Sequence, residues 1–259
     1  GIAVDIAPGA ALAGSASAVN VSMETRATVR QASVEGRTID VRAENHVDGR
    51  FIVGALAGSG GFGAGASLAV GLLNPRAVTS IQGASLTASN DIRIAARQTL
   101  DMGISVVAGA VGGGALSGAF SVMMANAHTE ARVASYAGQR SELHSTGGSV
   151  EVLANTLTKM NVRENAGDYL QGVGAVSVGG VGAGASVEVI VLRERTLASI
   201  DDYSLVHAAG DIRVEALLER DINSAVLAFT ASGSLSLNGA ISVISLGAGL
   251  SEDAVADVE

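Results

Sequence analysis

Apolar positions in this chain alternate with a period of two, in blocks that return. TIDVRAE places Ile39, Val41 and Ala43 on one side of an extended segment. NDIRIAA does the same with Ile92, Ile94 and Ala96, GSVEVLA with Val150, Val152 and Ala154, and GDIRVEA with Ile212, Val214 and Ala216. A second block keeps step with the first: Leu68 and Val70, Phe120 and Val122, Val187 and Val189, Ile241 and Val243, with a weaker copy at Ala16 and Ala18. A third ends at Val29, Ile81, Val133 and Ile200. Short alternating runs bounded by NPR, SND, TGG and AAGD predict β-strands rather than helices. Three motifs recurring in one order predict a repeating unit of about 55 residues, within the range of solenoids and arrays.

The approximate units are 14–65, 66–117, 118–184 and 185–239, with 240–259 opening a fifth, so residues 1–259 read as one repetitive all-β, parallel β-solenoid domain. If each unit makes one wide coil, Ile39, Ile92, Val150 and Ile212 form an inward ladder of strands about 4.8 Å apart. The next residue outward is Asp40, Arg93, Glu151 and Arg213, an alternation of sign that adjacent strands would reward. Three short coils per unit would separate these charges by about 14 Å, beyond a Debye length, and leave the alternation without a cause. The four inward alanines, Ala43, Ala96, Ala154 and Ala216, then mark a close approach of layers.

Within the units, GFGAGASLAV (61–70) and GVGAGASVEV (180–189) repeat almost verbatim. Uncharged runs at 51–75, 102–127, 169–187 and 222–251 are long enough for membrane helices, but they are dense in Gly and keep period two, as in SGSLSLNGAISV. Gly58, Gly60 and Gly63 satisfy G-x-G-x-x-G, yet a strand rather than a helix is expected after them and no G-K-[S/T] follows. Glycine chosen for close packing is the better reading, with these strands covered on both faces.

Only 3% of residues are aromatic, so the core must be built of Val, Ile, Leu, Ala and Gly in thin layers. With 16 basic and 25 acidic side chains the net charge of −9 argues against nucleic acid as a partner. Cysteine is absent, which removes disulfides and thiol chemistry. No G-x-S-x-G, H-E-x-x-H or calcium nonapeptide occurs, so no catalytic residue, metal site or cofactor is assigned, and the chain is read as a non-enzyme. The histidines, His46, His128, His144 and His207, are scattered; His144 aligns with Leu86 and Val206 and is expected half-buried. Asp201, Asp202 and Asp211 could converge across a turn, but solvated turn carboxylates are the simpler reading. The chain opens without Met and ends inside its own pattern, as a segment of a longer protein would.

Departures from the period mark loops, and loops carry function. Two fall in the third unit: SYAGQRSELHSTGG (135–148), with Tyr136, Arg140, Glu142 and His144, and NVRENAGDY (161–169), with Arg163, Glu164, Asp168 and Tyr169. Tyr and Arg are frequent anchors of binding surfaces. These eight residues are the candidate partner contacts.

SLTASNDIRIAA and LVHAAGDIRVEA, together with the Gly/Ala-rich GAGASLAV, resemble the repeat regions of large secreted Gram-negative adhesins, the filamentous-haemagglutinin-like and leukotoxin-type families. The resemblance extends over nearly the whole chain. It implies a right-handed parallel β-solenoid and a structural stalk segment that extends and displays binding regions. It also implies secretion to the bacterial cell surface through an outer-membrane partner, and roles in adhesion to host or bacterial cells or matrix, biofilm or host-cell damage. Two other functions fit a β-solenoid: a carbohydrate-active enzyme with clustered carboxylates in a groove, and a toxin module that uses the apolar runs against membranes without a stable span.

Overall fold

The computed structural model describes residues 1–161 and 172–247. Thirteen strands and no helix are found among them: β1 (Ile2–Ala7), β2 (Ala10–Arg30), β3 (Ser33–Gly36), β4 (Ile39–Ser59), β5 (Phe62–Gln82), β6 (Ser85–Ala88), β7 (Ile92–Ala134), β8 (Glu142–Ser145), β9 (Val150–Met160), β10 (Gly172–Ile200), β11 (Leu205–Ala208), β12 (Ile212–Ile222) and β13 (Val226–Leu246). The fold is all-β, with parallel strands in two sheets. Nine strands form the larger sheet, and the short β3, β6, β8 and β11 form the smaller one in the order β11-β8-β6-β3.

Pairing follows the sequence motifs. Ile39 is registered with Ile92, Ile92 with Val150 and Val150 with Ile212, so these four residues stand in adjacent parallel strands. The second motif is in register from Ala16 through Leu68, Phe120 and Val187 to Ile241, and the third from Val29 through Ile81 and Val133 to Ile200. Asp40, Arg93, Glu151 and Arg213 consequently form one row of alternating charge. Across strands the Arg93 guanidinium lies 3.8 Å from Glu151. Asp40 instead pairs with Arg42 and Arg213 with Glu215, each on its own strand. All are exposed enough for water to screen them, so each pair contributes little to stability. Pro75 has no N–H to give, and the β5–β7 ladder passes from Leu73–Ala125 directly to Arg76–His128.

The interior changes character along the strands. Where the small sheet joins the large one, Ile81, Leu86, Ile92, Ile94, Val133, Leu143, Val150 and Val152 make a branched aliphatic cluster. Farther along, Leu73, Leu100, Met102, Ile104, Met123, Met160 and Ile190 belong to a second. Beyond these, the two limbs of the large sheet close on a thin layer in which Ala11, Ala13, Ala55 and Ala57 are buried. We call this flattened part the arm.

Close approach of the limbs explains the Gly/Ala decapeptides. A Cβ on Gly63 would lie 2.6 Å from the carbonyl oxygen of Val111, and one on Gly65 would collide with the carbonyl of Gly109. Hydroxyls bridge the limbs where small residues allow: Ser67 Oγ donates to Val107 O at 2.7 Å, Thr79 Oγ1 to Ala95 O at 2.7 Å, and Ser186 Oγ to Leu227 O at 2.6 Å. Such bonds satisfy hydroxyls that a dry layer would otherwise strand.

Two expectations are corrected. Residues 61–70 are covered on one face only: Gly63, Gly65, Ser67 and Ala69 are buried, whereas Phe62, Ala66 and Leu68 are exposed. The opposite limb packs on the small residues, so the large ones face outward. Of the alanine ladder, Ala43, Ala96 and Ala154 are buried, but Ala216 is exposed because β12 has β9 on one side and no described strand on the other.

Two stability changes follow. Ala96→Leu should lower unfolding free energy by about 1–3 kcal/mol in a urea titration, since Ala96 sits between Ala43 and Ala154 with no room for a larger side chain. Gln98 is fully buried and neither amide atom has a hydrogen-bond partner. Gln98→Met keeps the volume and removes that penalty, and should raise stability by about 1 kcal/mol or more in the same titration.

Candidate functional site

The first of the two departures from the period is the connection between β7 and β8. After Ala134 the chain makes a tight two-residue turn in which Tyr136 and Gln139 exchange backbone hydrogen bonds of 2.9 Å each way. Ala137 and Gly138 supply the positive φ that this geometry needs, 49° and 77°. The turn lies against Gly83, where a Cβ would stand 3.2 Å from the Tyr136 Cβ. The Arg30 guanidinium sits 4.6 Å from the Tyr136 ring centroid, and Gln31 Nε2 donates to Gln139 Oε1 at 3.3 Å. The loop is thus fastened across the neighbouring strands by a cation–π contact and an amide bond.

The other candidate residues, Arg140 in the loop and Glu142 and His144 on β8, are engaged locally. Arg140 pairs with Glu142, both partly exposed. His144 is exposed rather than half-buried, and its register partners are Thr87 and His207. The alignment expected from sequence was off by one, since it is Leu143 that lies beside Leu86 and Val206. The two imidazoles stack with centroids 5.3 Å apart and planes 14° from parallel. Arg163, Glu164, Asp168 and Tyr169 lie outside the described residues.

Asp201 receives Arg132, Asp202 lies in the exposed turn, and Asp211 precedes β12; the described residues contain no group of three or more His, Asp or Glu placed to hold a metal ion. Gly58, Gly60 and Gly63 fall at the join between β4 and β5. No helix follows, and at Gly60 a Cβ would stand 2.9 Å from the Pro8 carbonyl oxygen, so packing explains these glycines. No helix among the described residues is long and apolar enough to cross a membrane.

Sequence reasoning missed the buried acids. Glu188 is fully buried on the inner face of β10; its carboxylate accepts from Ser224 Oγ and, at 3.3 Å, from Asn161 Nδ2. Asn161 also takes the Ile104 N–H at 2.8 Å and donates to Asn223 O at 3.1 Å, so one amide ties the ends of β9 and β12 to the interior of β7. Glu194 is buried too, between Thr158 and Arg220. Beside it Thr156 bridges Thr129 and Thr196, at 2.7 Å to each. A period-two reading registers Glu188 as the polar residue between Val187 and Val189 and assigns it outward. The signal available was its flanking column, Ser186–Glu188–Ile190–Leu192, which continues apolar.

The arm carries an open groove of about 810 Å³ on the outer face of β2, β5, β7, β10 and β13. Its lining is Leu, Ala and Gly with Ser117 and Asn238, and it contains no titratable group. Such a surface can bind by apolar contact and cannot perform acid–base chemistry. No protein-family model, curated protein or solved structure matches this chain.

Burial holds the Glu188 carboxyl above the usual carboxylate range, with the hydrogen bonds from Ser224 and Asn161 opposing the shift. The folded chain therefore keeps a proton there at pH values where the unfolded chain has released it. The contribution of Glu188 to stability is fullest below the ordinary carboxylate range and is lost as pH rises from that range through the raised folded value. Glu188→Gln should flatten this decline and raise the melting temperature at neutral pH; an unchanged pH–stability curve would show that the carboxyl titrates normally.

Proposed function

We propose that this chain is a segment of a right-handed parallel β-solenoid with one wide coil per sequence repeat of about 55 residues, and that it serves as a structural stalk. In this reading the parent protein is a large secreted filamentous adhesin of a bacterial surface. Its stalk extends and displays binding regions toward host or bacterial cells or matrix, after export through an outer-membrane partner. The single observation that carries the reading is the register: every described strand of the larger sheet pairs in parallel with a strand one repeat away, and matching motif positions stand side by side. A device of this kind works mechanically. Equivalent backbone bonds run along the axis, so adding repeats adds length without changing the cross-section.

The loop carrying Tyr136 and Arg140, with Glu142 and His144 on the adjoining β8, is the part of the described surface best suited to touch a partner. It projects from the small-sheet end, where the charged residues also gather.

Inserting four extra copies of residues 39–91 tests the stalk reading. The maximum dimension in small-angle scattering should grow by about 19 Å, with the cross-sectional radius unchanged. A particle that thickens instead of lengthening, or an insertion that forms a separate domain, would contradict it.

A further inference from the structure

The arm presents a face that water should not be left to cover. On the outer side of β2, β5, β7, β10 and β13, one row across the strands is Gly14, Ala66, Gly118, Ala185 and Gly239. The next row, two residues along each strand, is Ala16, Leu68, Phe120, Val187 and Ile241. The first is a trench floored only by Gly and Ala, and the second is a ridge. Leu68 and Phe120 are each 41% exposed and Ile241 57%. A further ridge, with Leu12, Leu116 and Leu237, closes the far side of the trench; these three are also exposed.

We propose that this face docks a second copy of the same chain, face to face and antiparallel, the ridge of each copy lying in the trench of the other. Ridge and trench are about 6.7 Å apart along the strand. A two-fold axis lying in the interface, midway between the two rows and running across the strands, exchanges the rows, reverses the strand direction and keeps the order of the strands. Leu68 then meets Ala66 of the second copy, Val187 meets Ala185, and Ile241 meets Gly239. The two Phe120 rings meet beside the axis, at the separation aromatic pairs prefer. Self-complementarity of this kind is what an isologous interface requires.

Area and charge agree with that occupant. Five strands at about 4.8 Å and eleven outward-and-inward residues from Phe62 to Leu72 give a footprint of roughly 850 Å² per copy, against about 800 Å² per partner in a stable interface. No charged residue lies between Phe62 and Leu72 or at the positions registered with them on β2, β7 and β13, and the one on β10, Glu188, points inward and is buried. The net charge of −9 therefore sits away from the contact. On the arm's opposite face large and glycine residues alternate within a single row, as in Gly54, Val107, Gly174 and Leu227, so no continuous trench forms there. The proposal does not depend on the stalk reading.

The chain has no cysteine, which makes cross-linking a clean test. Leu68→Cys combined with Ala66→Cys should give a disulfide-linked dimer under mild oxidation, whereas Leu56→Cys with Ala66→Cys should not. Sedimentation equilibrium of the unmodified chain should show dimers, and Phe120→Glu should weaken them at least about tenfold while leaving the far-ultraviolet circular dichroism unchanged. Ala66→Trp, which fills the trench without touching the interior, should weaken them as well. A chain that stays monomeric overturns the proposal, as does association indifferent to Phe120→Glu and Ala66→Trp, which edge-strand pairing would give. Monomers that float with phosphatidylcholine vesicles would assign the face to lipid and overturn it too.

Discussion

Everything in this molecule depends on lateral parallel pairing between strands that are far apart in sequence and equivalent in motif. Each residue of the large sheet has its counterpart about 4.8 Å away on the next strand, so a column of side chains must tolerate its own chemistry repeated along the axis. Aliphatic columns do so at low cost, and Ile39, Ile92, Val150 and Ile212 are one. Charged columns are favoured by alternating sign, as at Asp40, Arg93, Glu151 and Arg213. Isolated polar residues need partners from the facing limb, which is why Ser67, Thr79 and Ser186 reach across to carbonyls.

The same constraint shapes the cross-section. Near the small sheet, branched aliphatic residues hold the walls apart; in the arm, Gly and Ala let them close until hydroxyls bond directly from one limb to the other. Once the inside is that thin, large apolar side chains can stand only outside. The arm is apolar outside because its inside is too thin for large residues, and the exposed Leu68 and Phe120 are the consequence.

The ladders were readable from the sequence because period-two alternation and the repeat spacing point to the same registers. Which face of the arm is inside was not readable, since Leu68 and Ser67 lie in strands apolar on both sides, and only the opposing carbonyls decide that the serine turns inward. Nor was Glu188, which occupies a column whose other members on β10 are Ser186 and Ile190 and whose carboxyl is partnered by Asn161 and Ser224 from distant segments. The first departure from the period, 135–148, holds a connection only at 135–141, because Glu142–Ser145 pairs as β8. Its fastening to Arg30 and Gln31 needed coordinates, because both lie more than a hundred residues earlier.

The central claim is that equivalent positions of successive repeats are nearest neighbours across parallel strands. Methyl nuclear Overhauser contacts among the alanines Ala43, Ala96 and Ala154 test it most directly. Ala96 should show strong cross-peaks to both Ala43 and Ala154, with none between Ala43 and Ala154, which stand about 9.6 Å apart. An Ala96 methyl without a contact to either would contradict the account.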